Sequence, residues 1–316
     1  MKIKILDAAT LGEGLDFSVL SRFGEVESFD GTAKEDVAVR IADADVIIIN
    51  KIKINSESLR LAKRLKLVCI FATGYDNINI DDCREKGIAV CNVKGYSTHS
   101  VAQLTVLMAL NLIEKISDYT EFVKDGEYTK SGIANRLIPI NHELYGKTWG
   151  IVGAGAIGKQ VAKVANAFGC NVLAFKRTPD ETLNCVSLDT LLKESDIISL
   201  HTPLNEGTRG LIGERELGIM KKDAILINVA RGAVTDENAV ANAVLDGEIG
   251  AFATDVYSVE PFGADHPMAK IMHCKNVMLT PHMAWGALEA RVRCLDEIMQ
   301  NIESFLSGGK RNRVDV

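Results

Sequence analysis

Three residues able to move a proton or hold an anion stand just past the ends of three apolar runs. Arg231 follows Ile225-Leu226-Ile227-Asn228-Val229, Glu260 follows the run from Phe252 to Val256, and His282 follows Val277-Met278-Leu279-Thr280-Pro281. If the runs are strands of one parallel sheet, their carboxyl ends open on a single crevice and these residues face a common ligand. A guanidinium grips a carboxylate in two-pronged fashion and polarises a neighbouring carbonyl. An imidazole is the side chain best matched to proton exchange near neutral pH, and a carboxylate beside it favours the charged ring and fixes its orientation. Together they suit an anionic substrate that exchanges a proton while something else carries a hydride. Singly, each has an ordinary reading: a strand-end arginine, a turn carboxylate before Pro261, a structural histidine. His201, which follows Ile197 to Leu200, is assigned to the cofactor side or to structure. No Ser-His-Asp arrangement and no metal-ligand spacing competes, so no metal is expected.

The something else is indicated by Gly153-Ala154-Gly155-Ala156-Ile157-Gly158, which follows the run Trp149 to Val152 and opens a helical pattern. Glycines at this spacing give a tight turn, close approach of backbone to a pyrophosphate, and close packing of helix on strand. The expected inward face of that helix is Ile157, Val161, Val164, Ala165 and Phe168. An acidic residue that holds the adenosine ribose should end the next strand, about 20 residues past the glycines. Here Val172 to Phe175 runs into Lys176-Arg177-Thr178. A basic pair with a hydroxyl favours a 2′-phosphate, so the reading leans to NADP(H). The alternative is that the pair is solvated and NAD(H) binds through the remaining contacts.

The elements that must position these residues alternate between short β-branched runs and helical patterns, which argues for parallel sheets covered on both faces. One set of strands reads Ile3 to Leu6, Val26 to Phe29, Val46 to Ile49, Leu67 to Phe71 and Ala89 to Cys91. A second reads Trp149 to Val152, Val172 to Phe175, Ile197 to Leu200, Ile225 to Val229, Ala251 to Asp255 and Val277 to Thr280. The fold class is therefore α/β with two doubly wound parallel-sheet domains. Between the sets, Thr98 to Lys115 carries Val101, Leu104, Met108 and Leu112 at helical spacing, and Leu288 to Leu306 does so with Val292, Leu295, Met299, Ile302 and Leu306.

With 316 residues the chain fits two ordinary domains. A net charge of -6 offers no footprint for nucleic acid, and the basic cluster Lys310-Arg311-Asn312-Arg313 reads as a solvated tail. No apolar stretch is long enough to span a membrane and the N-terminus has no targeting pattern, so a cytoplasmic location is expected. The seven cysteines lack a Cys-x-x-Cys pair, as suits reduced core thiols.

The chain resembles the D-isomer-specific 2-hydroxyacid dehydrogenases over nearly its whole length. The carrying segments are Ala72-Thr73-Gly74-Tyr75-Asp76-Asn77, Tyr96 to Gln103, Gly153 to Gly158, His201-Thr202-Pro203-Leu204 with Thr208-Arg209-Gly210, Asn228 to Gly232, Asp255 to Pro261, and Thr280 to Trp285. Their forms are most similar to the glycerate dehydrogenase and hydroxypyruvate reductase branch. The resemblance implies a Rossmann cofactor domain, residues 99–286, and a discontinuous flavodoxin-like substrate domain, residues 1–98 with 287–316. It also implies a homodimer built through the cofactor domains, with a small 2-oxo or 2-hydroxy acid as substrate. By the same carry-over His282 is the acid/base, Glu260 its partner and Arg231 the substrate anchor. Thr73, Gly74 and Trp285 fall on the substrate side. Gly153, Gly155, Ile157, Gly158, Thr202, Pro203, Thr208, Val229, Ala230 and Asp255 would line the cofactor, with Lys176, Arg177 and Thr178 at its adenosine end. Lys176 and Gln103 depart from the acidic residues many relatives carry there. Two other functions stay open: a dinucleotide-sensing regulatory protein without turnover, and a D-lactate-type 2-oxo acid reductase.

Overall fold

The computed structural model describes residues 1–178 and 181–316. The chain divides into two compact units, one made of Met1–Ser97 and Trp285–Val316 and the other of Thr98–Ala284.

The first unit is built on β1 (Lys2–Ile5), β2 (Glu25–Ser28), β3 (Val46–Ile49), β4 (Leu67–Ile70) and β5 (Ala89–Cys91). They form one parallel sheet in the order β2-β1-β3-β4-β5. In β3 and β4 every residue is buried. Such unbroken apolar runs are what a sheet covered on both faces requires. Alternate residues serve opposite faces: Val46 and Ile48 join Ile3 and Ile5 in one core, while Ile47 and Ile49 join Leu6 and Val68 in the other. The helix Leu288–Leu306 fills the first of these cores with Ala290, Cys294, Leu295, Ile298 and Ile302.

That helix corrects its expected face, because Val292 and Leu306 are exposed and Asn301 is buried. The burial of Asn301 is compensated by hydrogen bonding: its amide donates to the Asn92 carbonyl at 3.0 Å and accepts from Asn312 at 2.9 Å. The basic tail is a second correction. It is not simply solvated but lies along the open edge of β5. The Asn92 N–H donates to Asn312 O and the Val314 N–H to Val90 O, while the Asp315 carboxylate accepts the Val90 N–H at 2.9 Å and pairs with Arg313. An edge strand leaves a row of backbone groups without partners, and here the chain's own end supplies them.

The second unit is built on β6 (Thr148–Val152), β7 (Asn171–Phe175), β8 (Ile197–Leu200), β9 (Ile225–Asn228), β10 (Ala251–Thr254) and β11 (Val277–Leu279). All pairings are parallel and the order is β11-β10-β9-β8-β6-β7. The order reverses between β6 and β8, so the glycine loop after β6 stands at the topological switch point where ligands bind in open α/β sheets. The helix Thr98–Glu114 belongs to this unit and buries Val101, Leu104, Met108 and Leu112. In the helix Ala156–Ala167 the buried residues are Gly158, Val161, Ala162 and Ala165, whereas Phe168 is exposed and Ile157 only half-buried. Gly158 accounts for the shift: a Cβ there would lie 2.5 Å from Gly153 O and 2.9 Å from Ile151 Cγ2, so the glycine itself, not its bulkier neighbour, faces the strand. β11 is the sheet's edge and half-buried, not a core strand.

Candidate active site

β9, β10 and β11 are neighbours, so the loops leaving their carboxyl ends lie side by side. After β9 the turn is tied by Asn228, whose Oδ1 accepts the Ala230 N–H at 3.0 Å and whose amide nitrogen donates to Arg231 O at 2.9 Å. Within that turn the Arg231 guanidinium donates to Ala230 O at 2.8 Å. Gly232 follows, and its missing side chain matters, since a Cβ there would sit 2.1 Å from the Tyr257 carbonyl carbon and 2.2 Å from Ser258 N. The loop carrying Arg231 therefore rests directly on the loop carrying Glu260. A glycine just after a strand-end arginine is the only hint of this in the sequence.

In the loop after β10, the Glu260 carboxylate accepts the Tyr257 N–H on Oε1 at 3.0 Å and meets His282 Nδ1 on Oε2 at 2.6 Å. Pairing Nδ1 with the carboxylate directs Nε2 away from it as the nitrogen that can serve a ligand. His282 has a φ of 53°, a left-handed conformation uncommon for a residue with a side chain. The surrounding loop is held by Asp255, which is buried at the end of β10. Its Oδ1 accepts the Thr280 hydroxyl at 2.6 Å and the Met283 N–H at 2.8 Å, and its Oδ2 accepts the Ala284 N–H at 2.8 Å. Burial raises the Asp255 carboxyl above its ordinary value, and these bonds together with the nearby His282 oppose the rise. The Tyr257 hydroxyl donates to Thr280 O at 2.9 Å. Burial, with the charges of Asp255, Glu260 and Glu237, pushes this phenol up to about 12, which makes it a fixed donor rather than an acid.

The glycine loop fits a dinucleotide's diphosphate. Gly153 has a φ of +94° and lies against His201 and Thr202, where a Cβ would come within 2.8 Å of backbone. Beside Gly155, by contrast, nothing lies within 4 Å of a built Cβ, and no side chain caps the helix that starts there. Its first N–H groups are thus left to an anionic ligand. The buried Thr202 hydroxyl finds no partner among the described residues, while Thr208 donates to Pro203 O at 2.6 Å and so shapes the loop after β8. Val229 and Ala230 are buried, Lys176 is half-buried, and Arg177 and Thr178 are exposed.

His201 points to structure. The Trp149 indole N–H donates to Ser199 Oγ at 3.0 Å, and the same hydroxyl shares a hydrogen bond with His201 Nε2, also at 3.0 Å. Burial pushes this imidazole down to about 3. A ring that stays neutral in this way is a poor proton donor. Thr73, Gly74 and Trp285 belong to the other unit. There the Thr73 hydroxyl donates to Val93 O at 2.7 Å, the Thr73 carbonyl accepts from Asn92 at 2.7 Å, and Trp285 meets Tyr96 edge-on with ring centroids 6.5 Å apart.

Comparison with known proteins agrees with this geometry. The family described as "D-isomer specific 2-hydroxyacid dehydrogenase, NAD binding domain" matches residues 106–284. A hydroxypyruvate reductase of Blautia hydrogenotrophica is 35% identical over 324 aligned positions, covering 100% of both chains. A glycerate dehydrogenase of Methylorubrum extorquens is 35% identical and covers 99% of each. Among solved structures, the D-lactate dehydrogenase of Aquifex aeolicus, complexed with NAD and lactic acid, superposes with a TM-score of 0.86 at 29% identity, covering 100% of this chain and 99% of that one. With a dinucleotide-binding sheet that matches the family over most of its length and relatives aligned from end to end, this chain belongs to the D-isomer specific 2-hydroxyacid dehydrogenases, the nicotinamide-dependent oxidoreductases of small 2-hydroxy acids.

Proposed function

We propose that the protein reduces hydroxypyruvate and glyoxylate to D-glycerate and glycolate, with His282, Glu260 and Arg231 as its catalytic residues. The observation that carries this reading is the 2.6 Å contact between His282 Nδ1 and Glu260 Oε2, one loop away from Arg231 at the ends of adjacent strands. The names of the end-to-end relatives support the substrate class.

When bound, the reduced nicotinamide supplies the hydride to the keto carbon. Arg231 neutralises the substrate carboxylate and draws electron density toward the reacting carbonyl. His282 gives the proton on Nε2 to the carbonyl oxygen as negative charge develops there, and Glu260 keeps the ring oriented and stabilises its charged form. In the reverse direction the neutral ring takes that proton back. Gly153, Gly155, Ile157, Gly158, Thr202, Pro203, Thr208, Val229, Ala230 and Asp255 line the dinucleotide. Thr73 and Gly74, from a substrate domain of residues 1–98 with 287–316, serve the acid together with Trp285.

The coenzyme is NADP(H) by preference, a reading supported by Lys176-Arg177-Thr178 at the end of β7, where two cations and a hydroxyl suit a 2′-phosphate. We further infer a cytoplasmic homodimer formed through the cofactor domain. Exposed apolar side chains along one segment of that unit, Ile133, Leu137, Ile138, Ile140 and Tyr145, support the association. The cysteines, mostly buried and without a Cys-x-x-Cys spacing, support a reducing compartment. The test is a substrate panel of pyruvate, glyoxylate, hydroxypyruvate and bulky oxo acids with both coenzymes. Highest kcat/KM for hydroxypyruvate or glyoxylate with NADPH is expected; a preference for pyruvate or for bulky acids overturns the substrate, and a strong NADH preference overturns the coenzyme.

A further inference from the structure

We infer that a second glutamate–histidine pair, Glu237 and His266, is a positioning device for the first: it sets the loop that presents Glu260 to His282. The inference rests on the catalytic reading of that dyad. Glu237 opens the helix Glu237–Leu245, and His266 lies at the amino end of the short helix Pro267–Ile271. Their side chains are only 9% and 7% exposed. Every polar atom of the pair is engaged. Glu237 Oε1 accepts the Ser258 N–H at 2.9 Å, and Oε2 accepts the Ser258 hydroxyl and lies 3.1 Å from His266 Nε2.

The tautomer of His266 follows from its other nitrogen. Nδ1 accepts the Met268 N–H at 3.2 Å and carries no proton, so Nε2 holds the hydrogen and donates it to Glu237. The buried carboxylate is met by three donors, the Ser258 N–H, the Ser258 hydroxyl and His266 Nε2. A carboxylate so enclosed holds its partners tightly, because a low-dielectric setting strengthens each bond and penalises losing one.

Those partners belong to the catalytic loop. Ser258 lies between Tyr257, whose N–H donates to Glu260 Oε1, and Glu260 itself. The same residues receive the close approach of Gly232 from the Arg231 loop. Around His266 the rings of Phe262 and Tyr257 gather, Phe262 stacked at 5.1 Å and Tyr257 edge-on at 6.3 Å. The Tyr257 hydroxyl then bonds Thr280 O, two residues before His282. One buried carboxylate thus fixes the loops after β9 and β10 relative to each other, and the ring cluster carries the restraint to the end of β11. Neither Glu237 nor His266 touches the reacting atoms in this scheme.

The test uses the full chain with its coenzyme and compares Glu237→Ala, His266→Ala and His266→Gln with the parent and with His282→Ala. Measured are kcat and KM for the oxo acid, reduced-dinucleotide binding by fluorescence, and folding by circular dichroism. Misplacing a catalytic group by about 1 Å costs on the order of 10²-fold in rate, so Glu237→Ala and His266→Ala should lose about that much kcat. Dinucleotide affinity and oxo-acid KM should hold. His266→Gln, whose Nε2 can still donate to Glu237, should recover most of the rate. If Glu237→Ala fails to fold, the two His266 variants decide the matter. Parental kcat in the alanine variants, equal losses in kcat and dinucleotide binding, or no rescue by glutamine overturns the positioning role. Should His282→Ala keep its turnover, the dyad itself is refuted, an outcome distinct from the others.

Discussion

Two glutamate–histidine pairs lie within one stretch of chain, alike in composition and opposite in setting. Glu260 and His282 have side chains 30% and 25% exposed, with one imidazole nitrogen on the carboxylate and the other directed away from it. Glu237 and His266 are nearly shut off from solvent, and both nitrogens of His266 are already committed. The difference teaches that a carboxylate beside an imidazole is not in itself an acid–base device. The two pairs part on exposure: a quarter of the His282 side chain is open to solvent, whereas His266 is 7% exposed and its second nitrogen takes the Met268 N–H. A ring that caps a helix with one nitrogen and serves a buried carboxylate with the other has both nitrogens engaged within the protein.

The largest test of that contrast is His282→Ala, which removes the proposed proton donor. Turnover with the oxo acid should fall by about 10²- to 10⁴-fold, the usual contribution of positioned acid–base catalysis, with dinucleotide binding retained. A variant with near-parental turnover would erase the distinction between the pairs. Glu260→Gln isolates charge from shape, because the amide keeps an oxygen for the ring but not the carboxylate's charge. A hydrogen bond to a charged group is worth roughly 1.5–3 kcal/mol, and kcat should drop by about 10- to 100-fold. An unchanged kcat would make Glu260 as structural as Glu237.

The smallest effect concerns His201, a histidine whose hydrogen-bond partner among the described residues is a hydroxyl, Ser199. Its imidazole is pushed from 6.5 down to about 3 by burial alone. Between those values the unfolded chain takes up a proton that the native state refuses, so this contribution to stability is complete above about pH 6.5 and shrinks as the pH falls toward 3. His201→Gln should make the fall in Tm from about pH 7 to about pH 4 shallower, with turnover near parental. The same slope as the parent would show that the ring does not resist protonation.

Much of the scaffold could be read from the chain because parallel strands announce themselves. Val46 to Ile49 is apolar at every position, as a strand buried on both faces must be. Helix faces were less legible. Gly158 displaced Ile157 and Phe168 from the buried side of its helix, and Asn301 took an interior place that Val292 and Leu306 did not. In each case a close approach or a distant hydrogen-bond partner outweighed the apolar pattern. The tail at Lys310 to Arg313 reads as solvated on charge alone, since nothing near it in sequence shows the open edge of β5 that it covers.

By itself the sequence determined the family, the alternation of strands and helices, the glycine turn, and three residues at strand ends suited to reducing an oxo acid, all properties written within a few neighbouring positions. Only the tertiary structure decided which histidine faces which carboxylate, and with which nitrogen. That depends on strand order, on Gly232 admitting Tyr257 and Ser258, and on Asp255 clamping the backbone around His282. These are contacts between segments roughly 20 to 30 residues apart in sequence, and their energies depend on burial and angle, which side-chain identity alone does not set.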